Sequence, residues 1–295
     1  MLYKNRFTII TCIVIAILLL VAAVNALYDP FDSMEGKQQG RFEHSVRVPI
    51  LMYHHFADDG SPDVTISGDA FERQMKALHD AGYTTISFEQ LRDYVYNGAA
   101  LPEHPLLITI DDGYMSVYDT AYPILKKYGM KATAFIIGVF YGQSVYKGVA
   151  YWKIIPHFGD AEAAEMEQSG LISIQSHSYD MHQYQPYETD YRDAILRKRG
   201  ESRAAYKQAI ATDFGLAAAQ IENAVGKRPF VYSYPFGKRT YMAEAVLKSM
   251  GVEITLITTP GTSLVVRNAP DSLFALKRLN VPGDMTAEEL LNLIK

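Results

Sequence analysis

Two adjacent carboxylates, Asp111 and Asp112, close the apolar run Leu106-Leu107-Ile108-Thr109-Ile110 and are followed at once by Gly113. Farther on, Leu171-Ile172-Ser173-Ile174-Gln175-Ser176 delivers His177, and His182 comes shortly after. One carboxylate and two neutral imidazoles suit a single borderline divalent cation such as zinc, with positions left for water and substrate. Asp112, His177 and His182 supply that set, and cobalt, nickel or iron would accept the same donors. The spacing of the histidines keeps them off a common helix face, so a strand end and a tight loop must turn both rings inward. A polar turn closing a strand explains one aspartate but not two, because adjacent carboxylates repel. A division of tasks explains both: one holds the ion, and the other, kept off it, serves as general base. A further pair, His54-His55, leaves the run Val48-Pro49-Ile50-Leu51-Met52-Tyr53. Successive strand residues point opposite ways, so one of the two faces the site, where it is either a general acid or a satisfied core residue.

The elements that must position these residues alternate. Strand candidates are Val48–Tyr53, Leu106–Ile110, Ala132–Ile137, Leu171–Ser176, Pro229–Tyr234, Val252–Ile257 and Leu273–Leu279, most of them near-continuously apolar, as strands covered on both faces should be. Helical spacing recurs between them. Phe71, Met75 and Leu78 form one stripe ahead of Gly82, and Ser87 with Gln90 forms a capping box before Phe88–Tyr96. Pro123 should kink or shift the start of the helix in Ser116–Tyr128, and Gly200 and Gly215 should break the stretch Asp190–Val225 into pieces. Alternating β and α units predict an α/β fold with a mostly parallel sheet, and seven strands fit a distorted (β/α) barrel better than an open sheet. Chemistry in such folds gathers at the carboxyl ends of the strands, where His54, Asp111, Asp112 and His177 fall.

The chain of 295 residues carries a net charge of −5 and has no basic run outside its first residues, which excludes a nucleic-acid footprint. Lys4 and Arg6 precede Phe7–Tyr28, a stretch without a charge, and Asp29, Asp32 and Glu35 follow it. Residues 1–28 therefore read as a transmembrane anchor with its N-terminus in the cytoplasm, the alternative being a signal peptide cleaved near Val24-Asn25-Ala26. Residues 29–46 read as a stalk and 47–295 as the exported catalytic domain. The only cysteine, Cys12, lies in the apolar stretch, so the domain has no disulfides and no thiol chemistry.

Thr109-Ile110-Asp111-Asp112-Gly113 resembles the first motif of the polysaccharide deacetylases, the NodB-like group of carbohydrate esterase family 4. His177-Ser178-Tyr179-Asp180-Met181-His182 is similar to the second motif and Tyr234-Pro235-Phe236-Gly237 to the third. Met52-Tyr53-His54-His55 and the five-residue histidine spacing resemble the branch of poly-N-acetylglucosamine deacetylases. The resemblance spans residues 47 to 283 and implies a NodB-like barrel. It implies Asp111 as catalytic base, Asp112, His177 and His182 as metal ligands, His54 as general acid, and a Phe236 backbone N–H on the oxyanion. Tyr234 and Tyr179 fall within motifs that would meet substrate.

Two departures stand out. Ser233 occupies the place of the arginine that in the family steadies the base, and Leu276-Lys277-Arg278-Leu279 lacks the acid histidine of the last motif. Tyr179, Tyr184, Tyr187 and Tyr191 surround the second motif and either stack on sugar rings or simply pack a loop. The expected activity is removal of N-acetyl groups from an extracellular glycan. Its rivals are an O-acetyl esterase with the same site and an inactive glycan-binding scaffold.

Overall fold

A computed structural model describes residues 44–295 apart from Gln185, Pro186 and Thr189. The expected anchor and almost all of the expected stalk lie outside the described residues, among which no helix is long and apolar enough to cross a membrane. Val46–Lys295 forms one compact unit.

Seven parallel strands close into a barrel: β1 (Ile50–Tyr53), β2 (Pro105–Ile110), β3 (Ala132–Ile136), β4 (Ile172–Ser176), β5 (Val231–Ser233), β6 (Ile254–Pro260) and β7 (Leu276–Asn280). Each pairs with the next, and β1 pairs with β2 on one side and β7 on the other. This is the predicted barrel.

The period of two decides what lies inside it. On β2, Leu106, Ile108 and Ile110 join the outer core while Leu107 joins the inner one. Thr109 and Asp111 continue the inward row by alternation. The same parity puts Ser233 inside β5 and its neighbours Tyr232 and Tyr234 in an outer cluster. On β7 it puts Leu276 and Arg278 inside, and Leu279 outside.

The helices in chain order are α1 (Gly68–Asp80), α2 (Phe88–Tyr96), α3 (Tyr122–Lys127), α4 (Asp160–Gln168), α5 (Arg203–Val225), α6 (Tyr241–Ser249) and α7 (Ala287–Leu293), and all but α2 lie against the outer face. Ser67 caps α1, whose Phe71, Met75 and Leu78 are fully buried, each side chain contributing roughly 1.5–3 kcal/mol by leaving water. The Ser87–Gln90 capping box opens α2, and Phe88, Leu91 and Val95 of α2 pack on the inward apolar side chains of the barrel. Pro123 shifts the helix start as expected: a π-type turn over Val117–Ala121 precedes α3, and the proline sits in its first turn.

Gly215 does not break the helix, contrary to expectation. It lies inside the unbroken α5, 3.8 Å from the Met250 methyl by its would-be Cβ, and one interior glycine costs about 1 kcal/mol, which the packing of a long helix absorbs. The stop comes at Gly226, in the left-handed conformation with φ 73°. The last strand also starts later than predicted, because Pro270–Leu273 forms a 3₁₀ turn ahead of β7.

Candidate metal centre

Asp112, His177 and His182 converge. One ligand atom from each lies within 4.8 Å of the others, and all three residues are buried. Nε2 of His177 and of His182 lie 3.6 and 3.7 Å from Asp112 Oδ1, too far for hydrogen bonds. Donors that each sit about 2.0–2.2 Å from one tetrahedral ion are about 3.4 Å apart, so the spacing fits a shared ion.

Local backbone makes this possible. Asp112 has φ 74° and Gly113 φ 84°, so the chain leaves β2 through a left-handed turn. That turn breaks the alternation and brings the second carboxylate back toward the barrel mouth, in a conformation Asp tolerates better than most residues. Ser178, at φ 79°, does the same after His177.

Each ligand is prepared for a cation. His177 Nδ1–H donates to the Ser233 carbonyl at 2.7 Å, a partner that fixes the tautomer and leaves Nε2 as the free acceptor. Asp112 Oδ1 is buried and meets no hydrogen-bond donor among the described residues. An orphaned carboxylate oxygen beside two imidazole nitrogens is unfavourable without an ion between them. Burial pushes His182 down to about 4, so it presents a neutral ring at neutral pH. Burial alone would raise Asp112, but His182, His54 and His177 together hold it below the usual carboxylate range.

Asp111 stands apart from this set. Arg278 grips it in a fork, Nη1 to Oδ1 and Nη2 to Oδ2 each at 2.7 Å, and the Ser233 hydroxyl donates to Oδ2 at 3.3 Å. Burial would raise its pKa, yet the Arg278 charge, with His177, drives it well below the ordinary value. The arginine is itself completely buried and is held by Thr109 Oγ1 and the Ile257 carbonyl, both at 3.3 Å. His54 is half-buried and its charge acts on both aspartates. His55 turns the other way: its Nδ1 is 2.8 Å from Ser116 Oγ and its ring lies against Tyr114.

A family model for polysaccharide deacetylase matches residues 98–255, more than half of the chain. The chain belongs to the polysaccharide deacetylase family. YxkH of Bacillus subtilis is 29% identical over 83% of this chain and 75% of its own length. The poly-beta-1,6-N-acetyl-D-glucosamine N-deacetylase of Staphylococcus aureus strain MRSA252 is 26% identical over 85% of both chains. Among solved structures, the de-N-acetylase from Aggregatibacter actinomycetemcomitans superposes with a TM-score of 0.71 at 25% identity, over 84% of this chain and all of that one.

Against the polysaccharide deacetylase pattern, the arginine absent before the third motif is supplied by Arg278 from β7. Alternation could have found it. Leu276 and Arg278 share the inward face, and a guanidinium on the inner wall of a barrel must meet an acid.

Tyr234 is corrected. Its parity puts the ring on the outer face, fully buried against Tyr232, so it packs α5 and α6 instead of meeting a glycan. Tyr179 is partly buried: its ring lies over Gly138, where an added Cβ would come within 2.3 Å of it, and it lines a cleft on the α5 side of the loop. Phe236 remains at the site, half-exposed at φ 54°, its ring 4.1 Å from that of His182. The Ser233 carbonyl, three residues back, is already taken by His177.

The aromatic residues that do flank the centre are others. Tyr184 lies 5.2 Å from His182 by ring centroids, and with Tyr114, Phe140, Tyr146, His157 and Tyr187 it walls an adjoining cleft of about 390 Å³. His157 is buried between Tyr114 and Phe140, and burial pushes it down to about 4. No motif marked it, because its place is set by an antiparallel bridge to Tyr114.

Proposed function

We propose that the chain removes N-acetyl groups from an N-acetylglucosamine-containing polysaccharide outside the cytoplasmic membrane. The observation that carries this reading is a buried carboxylate, Asp111, held in a two-bond fork by Arg278 and within 3.7 Å of the ligand ring of His177, yet separate from the Asp112 set. A divalent cation held by Asp112, His177 and His182 supplies Lewis acidity toward a carbonyl oxygen and toward water.

Asp111 accepts the proton of the attacking water, its geometry fixed by the Arg278 fork. The fork keeps Asp111 ionised and so available as a proton acceptor. The Phe236 N–H, in the first turn after β5, donates to the oxyanion of the tetrahedral species. His54 protonates the departing amine as the C–N bond breaks, so that acetate and a glucosamine unit leave. Tyr184 and Tyr114 offer ring faces for the sugar's C–H surfaces at the cleft mouth. The relatives named as poly-beta-1,6-N-acetyl-D-glucosamine N-deacetylases support this substrate class, and the uncharged N-terminal stretch supports export.

Acetate release from defined N-acetylglucosamine oligomers and from an O-acetylated polymer, each with added zinc, cobalt or nickel, tests it. Release from the N-acetylated series, abolished in Asp111→Asn with metal retained, is the expected result. Release only from the O-acetylated polymer identifies an esterase, and none under any metal identifies a scaffold.

A further inference from the structure

The loop that carries both ligand histidines is held from behind by a residue with no part in the chemistry. Asp213 projects from α5 and is only 8% exposed. Its Oδ2 accepts the N–H of Tyr179 at 2.9 Å and its Oδ1 the N–H of Asp180 at 2.7 Å. Both oxygens are thus spent on two successive amides between His177 and His182. Such charge-assisted bonds are the strong ones, and a carboxylate with two oxygens is the side chain that can receive both.

Other contacts complete the grip. Gly138 N–H donates to the Ser178 carbonyl at 3.0 Å and Val139 N–H to the Tyr179 carbonyl at 2.9 Å. Lys147 pairs with Asp180 at 2.6 Å and with Glu188, two carboxylates that bracket His182 in the chain. Every one of these bonds forms among protein groups, and none needs an ion. Burial pushes the Asp213 carboxyl up to about 6 even with two amides bound, so a carboxylate here is a burden on the helix unless those amides need it.

We propose that Asp213 is a positioning residue that presets the 177–182 loop, so that His177 and His182 already face Asp112 before metal arrives. This rests on the reading of those three residues as metal ligands. Groups that orient ligands from behind typically change metal affinity by about 10–100-fold when removed. Asp213→Asn keeps the shape but leaves one oxygen, so one of the two amides faces an NH₂ donor.

The test uses the full chain purified in detergent and stripped of metal. Amide-resolved hydrogen exchange on the wild type should show Tyr179 and Asp180 protected without any ion. In Asp213→Asn these two amides should exchange at least about tenfold faster, with the barrel strands unchanged, and zinc affinity by chelator competition should fall about 10–100-fold. A merely structural role would lower the melting temperature and leave the zinc affinity of the folded protein where it was. Zinc affinity within twofold of wild type overturns the proposal. So do unprotected Tyr179 and Asp180 amides in metal-free wild type, a measurement that decides the matter even if the variant does not fold. A wild type that binds no zinc yet protects both amides sinks the metal reading and leaves the preset loop standing.

Discussion

Arg278→Met isolates the contact on which the base depends. In the wild type two buried charges face each other through two parallel bonds of 2.7 Å, with Arg278 at 0% and Asp111 at 1% exposure. The variant leaves Asp111 with Ser233 Oγ at 3.3 Å and the partial help of two histidines. Removing one member of such a pair costs about 3–5 kcal/mol, a large fraction of a domain stability of about 5–15 kcal/mol. The dependence on pH has a definite sign. The folded Asp111 pKa lies below its unfolded value, so the pair's stabilisation is present above the unfolded pKa and is lost as pH falls through the folded one. In the variant burial acts with Arg278 gone, the folded pKa rises, and the penalty at neutral pH disappears as the carboxyl takes a proton. The gap between the two proteins is therefore widest near pH 7 and closes on acidification.

Urea unfolding of the metal-free proteins at pH 7 and near pH 4.5, followed by circular dichroism, reads this directly. A difference below about 1 kcal/mol at pH 7, or one that widens as pH falls, refutes the reasoning. Arg278→Lys keeps a charge without the fork and should fall between the two. Because Arg278 touches the base and not the cleft, turnover should drop in both variants with KM nearly unchanged.

Four further outcomes follow from the same geometry. Gly138→Ala drives a methyl to 2.3 Å from the Tyr179 ring, and should destabilise by about 1–3 kcal/mol in a thermal melt while also weakening zinc binding. Asp112→Asn takes the charge from the only carboxylate of the ligand set, so zinc at a thousand times the wild-type Kd, worth about 4 kcal/mol to the wild type, should add nothing to the variant in a thermal melt. His157 is held to about 4 in the folded protein against an ordinary 6.5. The unfolded chain therefore binds the proton first, and about 3 kcal/mol of stability drains away as pH falls through that window; His157→Phe should flatten the pH dependence of urea unfolding there. Tyr184→Ala opens the cleft beside His182 and should raise KM for N-acetylated oligomers severalfold more than it lowers turnover.

The barrel and the ligand triad were legible because they rest on local signals: apolar runs of strand length, and acids and imidazoles at the ends of those runs. What stayed hidden was set by parity or by distance along the chain. Tyr234 sits beside Phe236 in a motif, but one step of alternation from Ser233 turns it into the outer core. His54 and His55 are separated by the same step, and only the inward one acts on the aspartates. Asp112 escapes alternation through a left-handed turn, which the following Gly113 hints at but does not specify. Asp213 and His157 carry no local mark, since each acquires its partner only when a helix or loop packs against a segment distant in sequence.

Arg278 shows why the hidden part matters for chemistry. It lies 167 residues from Asp111 in sequence, on the last strand, and reaches the base only because β7 pairs with β1 and so closes the barrel beside β2. The register between β6 and β7 is irregular between Leu256 and Pro260, and in that interval the Ile257 carbonyl accepts from Arg278 Nε. The bulge thus aims the guanidinium, the guanidinium aims the carboxylate, and the Ser233 next to the carboxylate supplies the carbonyl that orients His177. Base and ligand ring are consequently fixed by the same closure of the sheet. A chain in which β7 failed to dock would keep every motif of the family and still leave Asp111 unaligned, which is why the last strand carries an arginine and why its loss should be felt in stability and turnover together.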